Sequence, residues 1–87
     1  METLDLSISH DECKAKANEV ASLVLAEYAA EESNNIFSLR GRTSSSRVLL
    51  VCMKKNRGVH FVLITTSNNF ESEFKTILDR IEKFMKS

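Results

Sequence analysis

Two histidines and two cysteines are the side chains best suited to nucleophilic or metal chemistry, and their spacing excludes most of it. His10 and His60 have no serine, cysteine or carboxylate at the spacing of a triad, so both are expected to be structural. Cys13 and Cys52 form no C-x-x-C pair and have no histidine at ligand spacing. Each lies in a segment of apolar pattern, and both read as reduced core residues, which points to a cytosolic or nuclear compartment. No nucleotide-binding or zinc-protease motif occurs, and two glycines are too few for a phosphate-cradling loop. Neighbouring carboxylates, Glu31 with Glu32 and Glu71 with Glu73, fall at expected helix ends, with no sheltered site for general acid and base work. No enzyme is expected, and neither a metal nor a cofactor.

Charge is more informative. Net charge is zero, but between Ser33 and Phe70 stand Arg40, Arg42, Arg47, Lys54, Lys55, Arg57 and His60 with no Asp or Glu. All 12 acidic residues lie outside that window, so the centre of the chain is basic and its flanks are acidic. Arg40 and Arg42, two apart in a strand, point the same way, and the turn after Met53 adds Lys54, Lys55 and Arg57. If helices cover the opposite face, the six cations are expected to form one exposed patch that contacts the phosphate backbone of RNA. The paired aromatic platform of a base-stacking sheet is missing, so backbone or shape contact is the expectation. Arg40 and Arg42 upstream of Ser45 also match a basophilic kinase site, where phosphate would weaken the patch.

The elements that must position these residues follow from periodicity. Residues 3–8 alternate, with Leu4, Leu6 and Ile8 on one side, as a half-buried strand does. Ser9 or Asp11 can cap a helix that the absence of breakers extends to Glu32, with Cys13, Ala17, Val20, Ala21, Val24 and Tyr28 as its apolar face. Leu23 and Leu25 fall off that face and mark either a loop-covered site or a second contact surface. Ser33, Asn34 and Asn35 end this helix. Residues 37–43 and 47–53 read as a hairpin, and the turn with Asn56 and Gly58 leads to residues 59–66, either a third strand or the start of the last helix. That helix, capped by Ser67 or Asn68, carries Phe70, Phe74, Ile77, Leu78, Ile81 and Phe84 or Met85 in one stripe. The expected fold is a single α+β domain over residues 1–87: a three- to four-stranded antiparallel sheet with two helices on one face, in the order β-α-β-β-(β)-α.

Eighty-seven residues leave little apolar area for an enclosed substrate cavity, which favours a binding or assembly subunit and a homodimer or heterodimer. Apolar runs are far shorter than the ~20 residues of a membrane span, and no basic leader follows Met1, so no membrane partner is expected.

With these segments placed, residues 3–8, the helix from Asp11, the hairpin over residues 43–51 and the last helix around Phe74 and Ile77 together resemble the small dimerising Pcc-type subunit of the KEOPS complex. The resemblance implies a non-catalytic scaffold in a complex that makes threonylcarbamoyladenosine in tRNA, with other protein subunits and tRNA as partners. It also implies a last-helix contact through Phe70, Phe74, Ile77, Leu78 and Ile81. The layout is similar, too, to the small Alu-domain proteins of the signal recognition particle, which present a basic sheet to RNA, and residues 39–42 with the turn after Met53 fit that picture. A roadblock or longin-like interaction scaffold has a comparable pattern over residues 59–84.

Overall fold

A computed structural model describes residues 2–44, 46–67 and 71–86, and only the backbone of Glu2, Ser67, residues 71–75, Ile77 and Leu78. The chain forms β1 (Glu2–Leu6), α1 (His10–Val24), β2 (Glu27–Ser33), β3 (Ile36–Arg42), β4 (Ser46–Lys54), β5 (Val59–Ser67) and α2 (Glu71–Lys86). This is an α+β fold with five antiparallel strands in the order β1-β5-β4-β3-β2. Residues 59–67 are strand, which settles the alternative left open by their sequence.

Ser9 caps α1, its Oγ accepting from the Glu12 N–H at 3.0 Å, and Asp11 and Glu12 complement the positive end of the helix dipole. The helix stops at Val24 and not at Glu32, the largest departure from expectation. Leu25 turns to extended backbone (φ −100°, ψ 140°) and enters the core at 7% exposure. There its Cδ1 would stand 2.5 Å from a Cβ placed on Gly41, so only glycine lets β3 pass this close. Residues 27–33 then pair along their whole length with β3, from Glu27 opposite Arg42 to Ser33 opposite Ile36. Helix propensity in Ala29, Ala30, Glu31 and Glu32 is worth tenths of a kcal/mol per residue. A full ladder, with two charge pairs to β3 and a third from Glu32 to Lys14 of α1, outweighs it. The turn between the strands uses Asn34 at φ 41°, a conformation asparagine tolerates. Tyr28, expected on the helix, is an exposed strand residue.

Both helices pack on one sheet face, α1 over β3 and β4 and α2 over β5, and they touch each other. The strands send Phe37, Leu39, Val48, Leu50, Cys52, Val59, Phe61 and Leu63 into this layer, and α1 contributes Cys13, Ala17, Val20 and Ala21. Ile81 and Met85 close it from α2. Leu23 remains 62% exposed.

Cys13 and Cys52 are bonded as a disulfide between α1 and β4, which corrects their reading as reduced thiols. Thirty-nine residues separate them in sequence, and nothing local announces the pairing. The fold places the first inward position of α1 over an inward position of β4, with the Cα atoms 6.2 Å apart, inside the range a disulfide spans. No helix among the described residues is long and apolar enough to cross a membrane.

Candidate interaction face

Strand side chains alternate, so the residues between the core positions make up the opposite face of the sheet. The pairing registers arrange that face in rows running across the strands. The first row is Thr66, Arg47, Arg42 and Glu27; the second is Ile64, Leu49, Arg40 and Ala29. The third is Thr3, Val62, Val51, Ser38 and Glu31; the fourth is Asp5, His60, Met53, Ile36 and Ser33. Ile64, Leu49, Val62, Val51, Met53 and Ile36 therefore form one continuous apolar block on the face opposite the helices. Ile36 and Ile64 are 45% and 36% exposed, and the other four are half-buried by their neighbours alone.

This block was missed in the sequence although it left a signal there. Residues 46–54 and 59–67 are apolar at outward positions (Leu49, Val51, Met53; Val62, Ile64) as well as inward ones. Such a run belongs to a strand covered on both sides.

The six cations do not form one patch. Arg40, Arg42 and Arg47 stand at one end of the open face, whereas Lys54, Lys55 and Arg57 lie at the β4–β5 turn. Arg47 and Lys54 lie seven positions apart along β4, about 23 Å. Acid reaches the first group because residues 27–33 are a neighbouring strand and not a helix. Arg42 Nε donates to Glu27 Oε2 at 3.0 Å, and Arg40 Nη2 donates to Glu31 Oε1 at 3.3 Å. The hydrogen bond from Arg42, and then its charge, hold the Glu27 carboxyl below its ordinary range, and Glu27 raises Arg42 in return. At the other end Asp5 Oδ1 lies 2.9 Å from both His60 Nδ1 and Lys55 Nζ. Hydrogen bonding to His60, then to Lys55, lowers the Asp5 pKa. Arg47, Lys54 and Arg57 have no ion pair among the described residues.

Arg42 stands directly opposite Arg47, and like charges so placed repel. Between this pair, Arg40, Leu49 and Ile64 the surface dips into an open groove of about 510 Å³. An anionic or hydrogen-bonding group seated there would relieve the repulsion.

Of the residues expected to contact a partner through the last helix, Ile81 is 1% exposed and belongs to the core, which removes it from any surface. Phe70 lies outside the described residues, as do Ser45, Asn68 and the side chains of Phe74, Ile77 and Leu78. Among the described residues neither histidine meets a nucleophile: His60 faces Asp5, and both ring nitrogens of His10 are buried without a hydrogen-bond partner. No group of three His, Cys, Asp or Glu among the described residues is placed to hold a metal. No protein-family model, curated protein or solved structure matches the chain.

Proposed function

We propose that this chain is a non-catalytic assembly subunit that docks on another protein through the open face of its sheet. One observation carries the reading: β4 and β5 bear apolar side chains on both faces, while the helices cover only one. The apolar surface that this block leaves open to water forgoes hydrophobic stabilisation that a partner would restore at about 25 cal/mol per Å². The arginine corner beside the block supplies polar orientation. The resemblance to the dimerising subunit of the KEOPS complex supports a scaffold role within a complex that forms threonylcarbamoyladenosine in tRNA, with the open face as the contact for a neighbouring subunit. Mixing the chain with the remaining subunits of such a complex tests this. Co-elution at a mass that includes the chain is expected; a chain that elutes alone at every concentration overturns it.

RNA contact is a second reading, favoured by the opposed Arg42 and Arg47. Pairing with Glu27 and Glu31 weakens the cations nearest the apolar block, so phosphate contact falls chiefly to Arg47, Lys54 and Arg57.

A further inference from the structure

Among the described residues, the free edge of β2 is the longer of the two unpaired sheet edges, seven residues against five for β1 at the other side. All seven are exposed, because β2 lies beyond the helical layer. Sheet edges are ordinarily blunted by proline, bulges or unpaired charge. Here there is no proline, and the ladder to β3 runs without a skipped residue. The charges that remain are already spent: Glu27 on Arg42, Glu31 on Arg40, and Glu32 on Lys14 Nζ at 2.6 Å.

We infer that β2 pairs antiparallel with β2 of a second copy about a two-fold axis at Ala30. Identical antiparallel strands that keep their faces aligned can pair only in registers two residues apart. With Ala30 opposite Ala30, all seven residues pair: Glu27 with Ser33, Tyr28 with Glu32, and Ala29 with Glu31. No two carboxylates oppose each other. A shift of one step sets Glu27 against Glu31, and a shift the other way sets Glu31 against Glu31. The register with the most pairs is thus the one that charge permits, and the small Ala29 and Ala30 at its centre allow the backbones to close.

The consequence is a ten-stranded sheet. An axis perpendicular to the sheet puts both open faces on the same side. One five-stranded face measures about 24 Å across at ~4.8 Å per strand, or roughly 600 Å². That falls short of the ~800 Å² per partner of a stable interface, and two faces side by side exceed it. The pairing uses the strand edge and not the open face, so it stands or falls separately from the docking reading.

Cysteine placement tests the register. Opposed Cα atoms in such a pair are ~4.5–5.5 Å apart, within disulfide reach, so Ala30→Cys should give a covalent dimer on mild oxidation. Tyr28→Cys, whose own copy lies four residues away across the axis, should not. Ala30→Lys, which sets two lysines against each other at an exposed position, should halve the mass by light scattering while its circular dichroism spectrum stays that of the folded chain. Equal cross-linking of the two cysteine variants, a wild type that is monomeric throughout a concentration series, or a dimer unaffected by Ala30→Lys would each overturn the pairing.

Discussion

Reducing the bond between Cys13 and Cys52 should remove a large part of the stability of this fold. The bond ties α1 to β4 across 39 residues of chain, and both sulfurs are fully buried. Loop closure over that separation restricts the unfolded chain by about 13 cal/mol/K, or about 4 kcal/mol at 25 °C. A domain of this length has a total stability of roughly 4–13 kcal/mol, so the reduced form stands close to its unfolding threshold. The assay is urea unfolding followed by circular dichroism, with and without reductant, and with the Cys13→Ala, Cys52→Ala double variant in parallel. At a slope near 1 kcal/mol per molar urea, the midpoint should fall by roughly 3–4 M on reduction. The double variant should fall at least as far, since it also loses two buried sulfur atoms. Coincident midpoints for oxidised and reduced protein, or two free thiols titrated in the native oxidised chain, would refute the reasoning.

Three further perturbations probe the frame and the charges. Gly41→Ala should destabilise by about 1–3 kcal/mol, read as a lower urea midpoint, because the new Cβ meets the Glu27 carbonyl oxygen at 2.7 Å as well as Leu25. Asp5, with its pKa held below its ordinary value by His60 and then Lys55, contributes stability above the unfolded carboxylate range and loses it as pH falls through the lowered folded value. The difference between wild type and Asp5→Asn in urea midpoint should accordingly be steady at neutral pH and vanish in acid; a pH-independent difference would contradict this. For tRNA, contact by Arg47, Lys54 and Arg57 alone predicts a slope of about −3 in log affinity against log salt, whereas all six cations would give about −5.

The sequence was most legible where one face of an element decided its fate. The inward alternation of β3, β4 and β5, the Ser9 cap and the inward Ile81 and Met85 of the last helix all follow from local rules, and they suffice for the α+β class. Residues 27–33 were not legible, because Ala-Ala-Glu-Glu favours a helix until a partner strand and the burial of Leu25 against Gly41 are known. That one misassignment moved Glu27 and Glu31 away from Arg42 and Arg40, and so turned two ion pairs into an apparent basic patch. The disulfide depends on the same long-range geometry, since a helix position and a strand position must first be stacked. The open apolar face was present in the residues themselves, as outward Leu49, Val51, Met53, Val62 and Ile64, and needed only the register to become a surface.

Charge insertion on that face tests the docking reading most directly. With Ile36→Glu and Ile64→Glu, the two exposed members of the block, the affinity of the chain for its protein partner in the reconstituted complex should be measured alongside its melting temperature. A buried unpaired carboxylate costs about 3–5 kcal/mol, so binding should weaken by at least 100-fold while the isolated chain melts as before. Undiminished affinity in both variants would show that the open face of the sheet is not where the partner docks.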